Sequence, residues 1–527
     1  MTALQAEAAA GQADARARAV AAAFERRRGF ITFGLIAATF MGTLDQTVVN
    51  VALAHIQGSL SASQEEITWV LTCYLVATAV TTPISSWLAA RFGLKPMALT
   101  CISLFTVASV LCGLATNLPE MIAFRIVQGV TIAPVPPIAQ AVLLRINPPS
   151  RYGRAIALFS TAAMAGPVAG PVLGGYLTEA LSWRWCFFIN LWPGAFALLA
   201  LWFSMPAEEP QPRRFDFLGF GSLAVAIGAF QLMLDRGPVQ DWFGSTEIWA
   251  DAIIAGIGVW IYATHTLSAR HPLFDPALIR DRNFVVGTGV LFAMTTLTYS
   301  SIALMPLMTQ TLMGYPPLTT GFLNLPRALL ALAALQVIGR VDRFIDRRLL
   351  AGAGLTLLAV GYWSMGKFDL SMGPETIIVA TLMQGLGQGC VTVPVTTMSF
   401  ATIGPRQQAD ASTVSSLLRS LSGGVGVSVT EAFLSSHTQM MHASMTAQLI
   451  PGDPVLRAGL PPALWPETLA GAFALNAEIT RQASMVAFVE SYRIMVLLTL
   501  ICVPLLLLLR YRRPVPGAAP QAAVVGD

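Results

Sequence analysis

The side chains able to carry chemistry are few and stand out against apolar surroundings. Asp45 lies in Leu44-Asp45-Gln46-Thr47-Val48-Val49-Asn50-Val51-Ala52-Leu53. A carboxylate inside hydrocarbon costs about 2.5–3.5 kcal/mol on insertion scales. It is therefore expected to face other protein groups, either as a proton carrier or as a permanently ionised structural anchor. Arg125 and Gln128, in Arg125-Ile126-Val127-Gln128-Gly129, are three residues apart and share a helix face. Arg125 is expected near the depth of Asp45. Burial disfavours an ionised carboxylate and a nearby guanidinium favours it, so the two effects together make a proton site that switches as its pocket opens and closes. The same pair also fits a plain packing salt bridge. Arg327, after Pro326, and Arg419, before Gly423-Gly424-Val425-Gly426, have no evident acidic partner on their own segments. Each fits an anionic ligand or a helix-end carbonyl. With Gln46 and Gln128 they form the candidate lining of a substrate cavity. Glu431, Glu490 and Arg493 fall near segment ends, where long side chains reach water.

Other chemistries find little support. The six cysteines (Cys73, Cys101, Cys112, Cys186, Cys390, Cys502) are scattered through apolar stretches without metal-ligand spacing. The five histidines (His55, His265, His271, His437, His442) form no HExxH, and no G-x-x-x-x-G-K-[ST] phosphate loop occurs. No enzyme activity, metal or cofactor is expected. The absence of a basic stripe argues against nucleic acid.

The elements that hold these groups follow from composition. Of 527 residues 55% are hydrophobic and 11% charged, with a mean hydropathy of +0.64. Soluble domains carry about 25% charged residues, so lipid is the expected solvent. Crossing the hydrocarbon takes about 20 apolar residues in a helix. Fourteen such runs are present, at 29–53, 66–90, 97–117, 120–144, 153–178, 186–205, 216–235, 248–268, 284–312, 319–338, 349–367, 374–400, 411–436 and 487–510. With both termini inside, 23 of 32 Lys and Arg fall on cytoplasmic segments. Five (Arg184, Arg236, Lys367, Arg457, Arg481) fall outside, and four (Arg125, Arg327, Arg419, Arg493) within or at the rim of spans. Dropping one span would invert every later loop and ruin this asymmetry. Residues 1–28 lack the order of features of a cleavable signal peptide. They are expected to form a cytoplasmic tail, as are residues 511–527.

Two further patterns are mechanical. Gly166, Gly170 and Gly174 recur every four residues in Gly166-Pro167-Val168-Ala169-Gly170-Pro171-Val172-Leu173-Gly174-Gly175. They make a smooth face for close helix approach, while Pro167 and Pro171 bend the span. This uncharged stretch is expected to be a pivot and a seal against proton leakage. The turn with Arg91, Gly93 and Lys95 (Ser86 to Lys95) echoes one with Gly339, Asp342 and Arg343 (Gly339 to Arg348), 253 residues on. Cations there can bond helix-end carbonyls. Each turn follows the second span of a six-span group, as in transporters built from two six-span halves with a substrate site between them. The expected organisation is therefore an all-α membrane protein. It has a six-helix bundle at 29–205, an inserted two-helix hairpin at 206–283, and a second bundle at 284–510 that includes an outer, partly helical loop at 437–486. Trp183-Arg184-Trp185-Cys186-Phe187-Phe188-Ile189-Asn190 is expected at the outer boundary, where aromatic rings anchor.

Taken together, L-D-Q-T-V-V-N-V-A-L at 44–53, R-I-V-Q-G at 125–129, the G-P-V-A-G-P-V-L-G-G stretch at 166–175, W-R-W-C-F-F-I-N at 183–190 and L-D-R-G-P-V-Q-D-W-F at 234–243 resemble the fourteen-span drug/proton antiporters of the major facilitator superfamily, in particular their EmrB-type members. The resemblance covers Phe30 to Arg510. It implies export of lipophilic or amphipathic compounds across the inner membrane in exchange for protons, with 166–175 as the antiporter motif. It also implies a periplasmic adaptor and an outer-membrane channel as partners. Ser86 and Ala90 stand where the family's turn usually has Gly and Asp, which weakens the first charge latch. Uptake or facilitated diffusion of a small metabolite is the alternative on the same fold, and fold alone does not decide.

Overall fold

The computed structural model describes residues 3–148, 151–206, 214–238, 240–269, 271–341, 344–404, 407–447, 461, 464–465 and 468–510. In hydrocarbon, backbone amides must be satisfied within the segment or a closed barrel, and each of the fourteen apolar runs lies on a helix. In the first half these are α1 (Ala3–Leu60), α2 (Gln64–Thr81) continued by α3 (Ser85–Phe92), α4 (Leu94–Leu114), α5 (Leu118–Ile132) continued by α6 (Val135–Ile146), α7 (Tyr152–Ala180), and the short α8 (Trp185–Phe188) leading into α9 (Leu191–Ser204). The hairpin is α10 (Phe217–Arg236) and α11 (Thr246–Ser268). After the short α12 (Ala277–Arg280) come α13 (Arg282–Leu307), α14 (Pro317–Val341), α15 (Arg347–Met365), α16 (Pro374–Phe400), α17 (Gln408–Ala447) and α18 (Leu469–Leu508).

Among the described residues, 12 helices are long and apolar enough to cross a membrane. The expected spans at 349–367 and 411–436 lie on α15 and α17, which are more polar. Arg347 and Arg348 open α15, and Ser, Thr and Gly recur along α17. Both pack within the second bundle, α15 along α16 and α17 along α13. Prolines interrupt two spans. Pro83 converts residues between α2 and α3 to a 3₁₀ turn, and Pro134, Pro136 and Pro137 separate α5 from α6. The segment at 437–486 is helical at both ends, through Ala447 and from Leu469, and the His442 ring meets Asn476 Oδ1 at 3.0 Å.

Polar contacts fix the alternation of helix direction at the end of the bundle where arginines gather. Arg27 Nη1 donates to Phe203 O at 2.7 Å, and Lys95 Nζ donates to Trp202 O at 2.7 Å. Asn283 Nδ2 donates to Arg510 O at 2.9 Å and its Oδ1 accepts from Arg510 N at 2.7 Å. The two halves are welded at this same end. Leu144, Tyr152 and Ile156 pack with Phe284, Phe400 and Ile403. Gln336 Nε2 donates to Thr161 Oγ1 at 2.6 Å, and Gln408 Nε2 to the Tyr152 hydroxyl at 3.1 Å.

The hairpin closes on itself through the His265–Asp216 contact at 2.7 Å and the Arg236–Glu247 ion pair at its other end. Its first helix lies along the seam of the halves. Ile227 packs with Ala79 of α2 and Leu417 of α17, and Ser428 Oγ donates to Leu234 O at 2.8 Å. Its second helix turns Trp249, Ile253, Ile257 and Trp260 outward, as a lipid-facing surface requires.

Glycines set the closest approaches between spans. A Cβ on Gly129 would lie 2.6 Å from Tyr74 O, whereas nothing lies within 4 Å of one on Gly256. Gly129→Val should therefore destabilise by about 1–3 kcal/mol, as overpacking does, and Gly256→Ala should not. Melting curves of the purified chain in detergent check this: the first variant should melt lower and the second at or above the wild-type temperature.

Candidate functional site

The polar groups of the first half converge inside it. Asp45 on α1 and Arg125 on α5 are both fully buried, and Arg125 Nη1 donates to Asp45 Oδ2 at 2.6 Å. The same nitrogen donates to Gln128 Oε1 at 2.9 Å, and Arg125 Nε donates to Val70 O at 3.1 Å. The other carboxylate oxygen, Asp45 Oδ1, accepts from Asn190 Nδ2 at 2.7 Å and from Gln128 Nε2 at 3.3 Å. Asn190 Nδ2 also donates to Ser109 Oγ at 2.9 Å, and Cys112 Sγ donates to Gln128 Oε1 at 3.2 Å. The guanidinium carbon stands 4.1 Å from the centre of the Tyr74 ring. Five spans thus share one net-neutral node.

The node has a definite chemistry. One bond from a guanidinium and two from amides hold the carboxylate, and the bond to the guanidinium is charge-assisted. Placing a proton on Asp45 would remove the charge that compensates Arg125. An orphaned buried charge of this kind costs about 3–5 kcal/mol, so protonation cannot leave the packing as it is. Among the described residues Arg125 Nη2 already has no hydrogen-bond partner, leaving the guanidinium one donor for another acceptor.

The glycine stripe lies against the opposite side of the helix that carries Asp45. Positions 166, 170 and 174 face Thr43, Leu44, Thr47 and Val48 of α1. Thr47 Oγ1 donates to Gly166 O at 3.2 Å, and a Cβ on Gly174 would sit 2.7 Å from Val48 O. Gly175 takes no part in this approach, since its nearest neighbour would be 4.0 Å away. Pro167 and Pro171 lie inside α7. Asp45 is therefore clamped from one side by charge and from the other by backbone-to-backbone packing.

The remaining expected residues are dispersed. Gln46 is exposed beside the node and outside it. Arg419 stands over the Phe159 ring of the first half at 5.4 Å, and Arg327 is buried with Nη2 donating to Thr298 O at 3.3 Å. In the first turn Gly93 adopts φ 87°, a conformation that favours glycine, and Arg91 is exposed. In the second, Gly339 abuts Ala157 and lies 3.0 Å, measured from an added Cβ, from Gly153 O. Asp342 and Arg343 lie outside the described residues. Asn190, Ser109 and Tyr74, all members of the node, escaped the sequence reading. Asn190 had been assigned with its aromatic neighbours to the membrane boundary, yet it is fully buried against Asp45. Ser109 carried no signal beyond a hydroxyl in an apolar run.

A bundle of apolar helices with an ion pair sealed inside one half is the plan of a membrane carrier. The chain belongs to the Major Facilitator Superfamily, whose family description matches residues 35–427. It is 35% identical to the multidrug export protein EmrB of Haemophilus influenzae over 428 residues, covering 81% of this chain and 84% of that protein. It is 34% identical to the fatty acid resistance protein FarB of Neisseria gonorrhoeae, covering 80% and 84%. Among solved structures it resembles the human organic anion transporter MFSD10, at 14% identity and a TM-score of 0.56, covering 90% and 99%.

The node predicts strong non-additivity. Asp45→Asn and Arg125→Met alone should each destabilise by about 3–5 kcal/mol, and the double variant by clearly less than their sum. Denaturation midpoints of the three variants and the wild type, measured in one detergent, check this.

Proposed function

We propose that this chain exports lipophilic or amphipathic compounds across the inner membrane in exchange for protons, with Asp45 as the proton carrier and Arg125 as its switching counter-ion. The observation that carries this reading is the sealed Asp45–Arg125 pair, which a proton cannot enter without displacing the guanidinium. Export of toxic compounds, rather than enzymatic change of them, fits the multidrug export and fatty acid resistance for which the EmrB and FarB relatives are named. In this reading the arginine-rich end faces the cytoplasm, both termini lie inside, and all fourteen helical runs cross the bilayer. The halves then meet on the cytoplasmic side, as in a carrier closed inward.

Three contacts support a proposed cycle. Substrate or water reaching the cavity supplies Arg125 with another acceptor, and Asp45 can then take a proton. Loss of the Asp45–Arg125 bond frees α1, whose Thr43 and Thr47 ride on the glycines of α7. α7 in turn abuts α14 through Gly339, so a change at Asp45 is relayed to the seam between the halves. Gly166, Gly170 and Gly174 let that contact slide while keeping it too tight for water. The driving force suffices: about 2.3 kcal/mol per charge per 100 mV, and about 1.4 kcal/mol per pH unit. A periplasmic adaptor and an outer-membrane channel are the proposed partners, with the helical extensions at 437–447 and 469–486 as the docking region.

The test is transport by proteoliposomes with an imposed pH gradient and a lipophilic dye. Asp45→Asn should lower gradient-driven export at least about tenfold, corresponding to about 1.4 kcal/mol or more of lost coupling. Gradient-driven export at the full wild-type rate would remove Asp45 from the mechanism.

A further inference from the structure

The second half contains a copy of the Asp45 node in which the carboxylate is missing. Matching contacts relate the first three spans of the two halves at an offset of 253. Thr47 Oγ1 donates to Gly166 O on the antiporter stripe, and Ser300 Oγ, 253 residues on, donates at 2.8 Å to Gly426 O on the equivalent glycine-rich span. A Cβ on Gly129 would strike the Tyr74 carbonyl, and one on Gly385 would strike the carbonyl of Arg327, which is 253 residues beyond Tyr74. Cys112 bonds Gln128, and Met365 Sδ, again 253 residues on, accepts from Gln384 Nε2 at 3.0 Å. By the same offset, Asp45 corresponds to Thr298.

By the pairing of Gln128-Gly129 with Gln384-Gly385, Arg125 corresponds to Thr381, so the copy has lost both charges of the first node and carries a new cation, Arg327, at the position of Tyr74. Arg327 is 6% exposed, and among the described residues its guanidinium donates to the Thr298 carbonyl. Among the described residues its Nη1 has no hydrogen-bond partner, nor has the fully buried hydroxyl of Tyr492. Tyr362 and Tyr492 lie within electrostatic reach of the guanidinium, and no Asp or Glu acts on it among the described residues. Leu297, Leu323, Met365 and Phe488 share an apolar cluster with the two tyrosines. An uncompensated buried charge is strongly unfavourable. A guanidinium beside a phenolic donor matches a carboxylate in shape and charge, and the apolar cluster suits a hydrocarbon tail. Pro326 precedes Arg327 inside α14, so the helix lacks a backbone bond and can flex there.

We propose that Arg327, with the Tyr492 hydroxyl, binds the carboxylate of an amphipathic monocarboxylic acid, so that the substrate supplies the anion that the second half lacks. This rests on the exporter reading and names a substrate class for it. It also assigns the two halves different work, the first binding the proton and the second the anionic headgroup.

The probe pair is decanoate and decanol, titrated calorimetrically at about pH 8, where the carboxylic acid is ionised, into the full chain in zwitterionic nanodiscs, with empty discs subtracted. The wild type should bind decanoate at least about tenfold more tightly than decanol, the factor a charge-assisted hydrogen bond supplies. Arg327→Met should erase the difference and Arg327→Lys should retain part of it. Tyr492→Phe should reduce it by a smaller factor and covers the case in which Arg327→Met does not fold. Equal binding of acid and alcohol by the wild type would overturn the proposal, as would a preference that survives Arg327→Met. Discs of phosphatidylglycerol separate the substrate from a lipid headgroup: the preference should persist there, and its disappearance would give the site to lipid and overturn the proposal. Gradient-driven dye export by the wild type, run alongside, judges the exporter reading separately from these binding data.

Discussion

A carboxylate and a guanidinium buried together in a hydrocarbon-solvated bundle constrain everything around them. Neither Asp45 nor Arg125 touches solvent, and removing either leaves the other as an isolated charge. The surrounding residues act to make the pair tolerable. Asn190, Gln128 and Ser109 supply polar contacts from three spans, and Tyr74 covers the cation with its ring. The same features make the pair responsive, since a proton on Asp45 alters the balance of every one of these bonds. In the proposed mechanism a stable salt bridge and a proton switch are the same structure in two protonation states.

The fold connects this local balance to the whole molecule. α1 is gripped between the node and the glycine stripe of α7, and α7 also forms the seam with α14. The inserted hairpin leans on both halves along another line, through Ile227 and Leu234. The internal repeat gives one architecture two different sites. Equivalent helices, glycine contacts and glutamines recur, while the charged residues do not: the aspartate side chain at 45 gives way to a hydroxyl at 298, and the ring at 74 to a guanidinium at 327.

Much of this was legible in the sequence because lipid imposes simple rules. Long apolar runs become helices, and arginines gather at one end of the bundle, so every run from 29–53 to 487–510 lies on a helix. α15 and α17 were the hardest, because packed spans tolerate Ser, Thr and Arg that a lipid-facing span would not. At the site, Asp45, Arg125 and Gln128 declared themselves as polar groups in apolar runs. Asn190 did not, because its aromatic neighbours read as a membrane boundary. The copy in the second half was hidden for a different reason. The Gln384-Gly385 pair repeats Gln128-Gly129, but the equivalence becomes visible only when the backbone contacts of the two glycines are compared. Gln46 shows the converse: a polar residue adjacent in sequence to the node that points away from it.

The central claim is that Asp45 exchanges its proton as part of the transport cycle rather than serving as a fixed brace. The direct measurement is proton uptake on substrate binding, followed with a pH indicator in weakly buffered detergent solution with a neutral lipophilic dye as ligand. The account predicts that the wild type takes up protons when dye is added and that Asp45→Asn, while still binding dye, takes up none. Equal uptake by both proteins would contradict it.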